Sequence, residues 1–175
     1  SMCTAFGFLA AGPTTSPYFT SSRVSVMILV VAMNGLMTFY TYFKDYEGDK
    51  AANKKTIVVQ FGIENSKIIA IASAFLPTIL FIIIYFSGFI EAGVNSIFII
   101  LALLTLFLQI WTGVLYYNNP AGEKTYYSLA TNFRACACGQ ATLIALFNTE
   151  LAMLLFLITY MFVGFLFDLH SNSKA

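Results

Sequence analysis

The sequence predicts an all-α, polytopic transmembrane helix bundle, and three observations predict it. Of its 175 residues 59% are hydrophobic and only 10% charged, whereas soluble domains average roughly 45–50% apolar and ~25% charged. Mean hydropathy is +0.80. Four apolar stretches reach or approach the about 20 residues that a helix needs to cross a bilayer: residues 24–43, 68–86, 97–115 and 141–167.

The elements follow in chain order. Residues 1–12 carry no basic leader ahead of their apolar stretch, so they fit poorly as a signal peptide. They are too short to span and read as the end of a preceding helix, closed at Gly12-Pro13. On that reading all of 1–175 is the C-terminal part of one larger membrane domain. The first full span, Val24 to Phe43, runs into a dense charged connection over 44–67. The second span holds Pro77, which removes a backbone hydrogen bond and predicts a kink. The connection from Ser87 to Asn95 has no Lys or Arg. After the third span, an interfacial helix around Lys124 to Ala137 is expected to lead into a tilted or bent last helix.

Lys44, Lys50, Lys54, Lys55 and Lys67 flank the first connection, and Lys124 and Arg134 the third, on the same side. The other side has only Arg23 and Lys174. By the positive-inside rule the charged connection faces the cytoplasm, and the expected location is a bacterial or archaeal plasma membrane. A formal net charge of +1, without a basic stripe, excludes nucleic acid as a partner. Cys3, Cys136 and Cys138 form no disulfide framework and no zinc-like pattern.

The chemistry is sought in the island Lys44-Asp45-Tyr46-Glu47-Gly48-Asp49-Lys50-Ala51-Ala52-Asn53-Lys54-Lys55-Thr56. Asp45 and Asp49, four apart, fall about 40° from each other on a continuous helix. Their mutual repulsion is relieved by a divalent cation, and oxygen ligands without His or Cys suit Mg²⁺. Mg²⁺ completes its shell with water and phosphate oxygens, so the expected substrate is phosphorylated. Lys44, Lys50, Lys54 and Lys55 are candidate diphosphate-binding residues, and Gly48 leaves room for a head group. A site of this kind opening into an apolar bundle suits a lipid diphosphate. The competing reading is a mixed-charge helix end that is simply solvated.

The string from Asp45 through Thr56 to Gly62 closely resembles the second aspartate-rich motif of the UbiA superfamily of intramembrane prenyltransferases. There a helix end reads D-x-E-G-D-[KR]-x-x-G-x-[KR]-T and runs on to an apolar patch and Gly. The resemblance implies a nine-helix bundle, of which this chain holds the second half without the first, N-D-x-x-D type motif. It implies Asp45 and Asp49 as the Mg²⁺ ligands and catalytic residues, with the lysines near the diphosphate. It also implies transfer of a prenyl group from a prenyl diphosphate to a hydrophobic acceptor, of quinone-precursor or geranylgeranylglyceryl phosphate type, amid membrane lipid. The residues alone, lacking the first motif, are expected to be inactive. Two positions depart from the pattern: Tyr42 stands where many members have a further Asp, and Asn53 replaces the usual Gly.

Other polar residues have plainer expectations. Asn34 and Gln109 are expected to hydrogen-bond between helices, with lining of a substrate cavity as the alternative. Arg134 is expected to reach headgroups rather than pair with a phosphate, and Glu150 to mark an interfacial break rather than serve a functional role. Cys136 and Cys138 read as small packing residues, and His170 as solvated. Tyr116, Tyr117, Tyr126 and Tyr127 read as an interfacial aromatic belt. A transporter half and a non-catalytic membrane subunit are the alternative functions; sparse polar residues along the spans weigh against the first.

Overall fold

The computed structural model describes residues 19–122 and 124–169, and the backbone of 170–172. The expected helix end over 1–12, Cys3, Lys174 and the side chain of His170 lie outside the described residues. All regular structure among the described residues is helical: α1 Ser21–Lys44, α2 Tyr46–Ala51, α3 Ile57–Ser73, α4 Leu76–Phe86, α5 Ser96–Asn118, α6 Thr125–Ala145 and α7 Thr149–Asn172.

Among the described residues four helical stretches are long and apolar enough to cross a membrane: α1, the 30-residue run of α3 and α4, α5, and Thr149–Leu169 of α7. Thr20 opens α1, its hydroxyl accepting from Arg23 N at 3.3 Å. Pro77 acts as predicted. Lacking an N–H, it cannot bond one turn back, and the ladder breaks between Ser73 and Leu76, where Ala74 N is shared between Ala70 O at 3.2 Å and Ile71 O at 3.3 Å and Phe75 N reaches only Ala72 O at 3.5 Å. Asn95 caps α5, accepting from Phe98 N at 2.8 Å, while its amide donates to Ala145 O at 2.7 Å. One side chain thus ties the start of α5 to the end of α6.

The last third differs from expectation. Instead of an interfacial helix feeding one bent span, α6 runs to Ala145, the chain turns at Leu146 to Asn148, and α7 returns antiparallel beside it. Asn148 is the reason: its side-chain oxygen caps the new helix, accepting from Leu151 N at 2.9 Å. Tyr126 donates to Phe167 O at 3.3 Å, which brings the end of α7 to the motif side rather than the far side. Glu150 is exposed in the first turn of α7, at this break.

α6 is the innermost helix, packed against α1, α5 and α7. It is less apolar than the outer helices because protein surrounds it, and association within a membrane relies on small residues and interhelical hydrogen bonds. Asn132 donates to Met37 O at 2.9 Å, Thr105 and Thr142 hydroxyls meet at 3.0 Å, and Cys138 reaches Leu101 O at 3.6 Å. Asn34 bridges as predicted, its Oδ1 accepting from Gln140 Nε2 at 3.5 Å. Gln109, by contrast, is buried with its side-chain oxygen unpartnered among the described residues. Gly139 permits the α1–α6 crossing: an added Cβ would lie 2.8 Å from Met33 Sδ and 3.2 Å from Thr105 Cγ2. Arg134 packs its guanidinium 5.2 Å above the Tyr160 ring and fills the space beside Gly164, so it holds α7 against α6.

Candidate functional site

The charged island is a helix-turn device with a shorter open stretch than its composition suggests. Residues 52–56 alone separate α2 from α3. Ile57 to Lys67, expected in the connection, are helical, with Glu64 and Lys67 paired at 2.7 Å and Asn65 donating to Phe61 O at 3.0 Å along α3. Gly62 bends this helix with φ 75 and ψ 161, a conformation open to glycine and strained for other residues.

Asp45 sits at the joint between α1 and α2, with φ −91 and ψ 3. Asp49 N still donates to Asp45 O at 2.8 Å, so one helical turn separates the two aspartates, as the spacing requires. Their environments differ: Asp45 is exposed, whereas Asp49 keeps 4% of its surface. α2 ends in a Schellman closure, with Lys54 N donating to Asp49 O at 2.9 Å and Asn53 N to Lys50 O at 3.2 Å. That closure needs a left-handed residue, and Asn53 supplies it with φ 52. The departure from Gly at this position therefore preserves the turn.

The turn delivers Lys54 onto Asp49, Nζ to Oδ1 2.8 Å. The Lys54 ammonium is held above its ordinary pKa chiefly by this hydrogen bond, then by the Asp49 charge and, less strongly, by Asp45; partial desolvation opposes them. The other candidate lysines are spread out and exposed. Lys44 lies 6.0 Å from the Tyr126 ring centre and Lys50 lies 5.6 Å from that of Tyr46. Lys55 is exposed beside Lys54. Nothing lies within 4 Å of a Cβ added to Gly48, so the space there is open.

No group of three or more His, Cys, Asp or Glu gathers among the described residues. Two carboxylates one turn apart are a donor set that fits Mg²⁺, which takes one or two carboxylates and fills its shell from water and phosphate. The cavity of about 590 Å³ between α1 and α6 does not touch them. It opens at the opposite end, between Arg23, Val30, Gln140 and Phe147.

Beneath the aspartates lies an aromatic plug that the sequence reading missed. Tyr116, assigned to the interfacial belt, is fully buried, stacked on Tyr40 at 5.0 Å and tilted against Phe43 at 5.1 Å. Tyr117 and Tyr127 are exposed, in keeping with the belt. The missed signal was periodic: Tyr116 continues the buried stripe Thr105, Leu108, Gln109, Thr112 along α5.

The family model for the UbiA prenyltransferase family matches residues 1–136. No curated protein and no solved structure matches the chain.

Proposed function

We propose that this chain, which belongs to the UbiA prenyltransferase family, contributes the second half of a Mg²⁺–diphosphate site for prenyl transfer within the membrane. Family membership supports intramembrane prenyl transfer; the metal, the residues and the acceptor class are our reading. The observation that carries it is the placement of Asp45 and Asp49 one helical turn apart, with Lys54 against the buried one, directly above an apolar bundle.

In this reading Asp45 and Asp49 hold Mg²⁺, and Lys44, Lys50, Lys54 and Lys55 attract the diphosphate as flexible point charges. The metal, when bound, supplies charge neutralisation on the diphosphate as the allylic C–O bond breaks and its electron pair leaves with the diphosphate oxygen. The acceptor then forms the new bond to the allylic carbon and gives up a proton. The Tyr40, Phe43 and Tyr116 plug closes the protein interior below the aspartates, keeping water from that side. Two carboxylates are half of the ligand set, the complement being the N-D-x-x-D type motif that the resemblance implies. The surplus of lysines around the motif supports a cytoplasmic orientation for this end.

The test is transfer of radiolabel from a prenyl diphosphate to a panel of aromatic acids, quinone precursors and glycerol-phosphate lipids, by full-length protein in membranes. Label is expected to enter the lipid phase attached to one acceptor class, and EDTA is expected to stop it until Mg²⁺ is restored. Label that stays water-soluble with every acceptor sinks the proposal.

A further inference from the structure

Asp49, the buried carboxylate of the proposed metal pair, already has a cation against it. Lys54 Nζ lies 2.8 Å from Asp49 Oδ1, with 64% of the lysine side chain and 6% of the aspartate side chain exposed. The backbone sets up this contact: Asn53 turns left-handed, and Lys54 N returns to Asp49 O at 2.9 Å. Its neighbours are placed otherwise, Lys50 over Tyr46 and Lys44 near Tyr126.

We infer that Lys54 is an internal stand-in for the metal, a latch that occupies Asp49 until a divalent cation and a diphosphate arrive together. The inference rests on the proposed function of the same site. A buried carboxylate without a counter-charge is costly, so the empty site favours the lysine. A divalent cation arriving alone must displace the ammonium and gains less for doing so. When a diphosphate arrives with it, the displaced ammonium acquires a new anionic partner within reach of its four-carbon stem. Cation and diphosphate therefore bind with positive coupling, each strengthening the other by the same factor. The consequence is a site that rejects stray divalent ions and fills in the presence of substrate. Arginine is a poorer latch, because its forked, two-point grip on a carboxylate is harder to release.

The experiment is Mn²⁺ binding to the detergent-solubilised full-length protein, read from the loss of the free-ion electron paramagnetic resonance signal, with and without inorganic pyrophosphate. Lys54→Gln is expected to bind Mn²⁺ alone about two- to fivefold more tightly than wild type, and to lose part of the enhancement that pyrophosphate gives. Lys55→Gln makes the same charge change one residue away and is expected to shift Mn²⁺ affinity less. Equal shifts in both variants, or none in Lys54→Gln, would overturn the latch while leaving an Asp49 metal site in place. Mn²⁺ binding that survives Asp49→Asn unchanged, or is absent throughout, would overturn the metal site and the latch with it.

Discussion

Asp49→Asn is expected to reduce prenyl transfer by the full-length protein about 10³-fold or more, and Asp45→Asn to reduce it comparably. The magnitude follows from the several kcal/mol of charge stabilisation that a metal contributes in such a step, each 1.36 kcal/mol being about tenfold in rate. The isosteric amide keeps the volume and removes the charge, so the packing around Asp49 survives. Lys54 loses its partner, yet it is largely exposed and returns to solvent. Activity should therefore fall without a matching loss of fold, which circular dichroism of the purified variants checks alongside label transfer. Wild-type turnover in either variant would remove that residue from the site.

Tyr116→Ala is expected to be the most destabilising single change below the motif, by about 2–4 kcal/mol. The estimate sits below the range for a large aromatic in a soluble core. In a bilayer the unfolded helices already rest among apolar tails, and what is lost is packing. Tyr116 is fully buried between Tyr40 and Phe43, and Phe43 stands two residues before Asp45, so the cavity would also loosen the placement of the two aspartates. Tyr116→Phe provides the contrast. The hydroxyl has no hydrogen-bond partner among the described residues, so its removal is expected to be neutral or stabilising by up to about 1 kcal/mol. Thermal unfolding in detergent compares the two; a Phe variant as weak as the Ala variant would show that the hydroxyl carries the interaction.

What could be read from the chain, and what could not, divides along physical lines. Apolar run length signals a lipid-facing helix, so α1, α5 and the paired α3–α4 were legible, as was the break at Pro77. The same signal fails for α6, which faces protein and carries Asn132, Gln140 and several threonines where a lipid-facing helix would carry leucine. Asn148 was seen as an interruption, but its capping of a new helix depends on geometry, and with it the side on which the chain finishes. In the motif, spacing foretold one turn between Asp45 and Asp49. Spacing says nothing of burial, so neither the difference between the two carboxylates nor the Lys54 contact, made by a left-handed Asn53, was legible.

The polarity of α6 also bears on how the protein is made. Leaving the translocon, each segment partitions according to its own hydrophobicity, and α6 is not among the stretches apolar enough to cross unaided. α7, joined to it by a three-residue turn, is. A glycosylation acceptor placed in that turn is expected to be modified efficiently only when α7 is present; equal modification in a chain that keeps the acceptor but lacks α7 would show that α6 enters alone. On that expectation the innermost helix enters as a passenger, one arm of a hairpin whose other arm it holds through Arg134 over Tyr160.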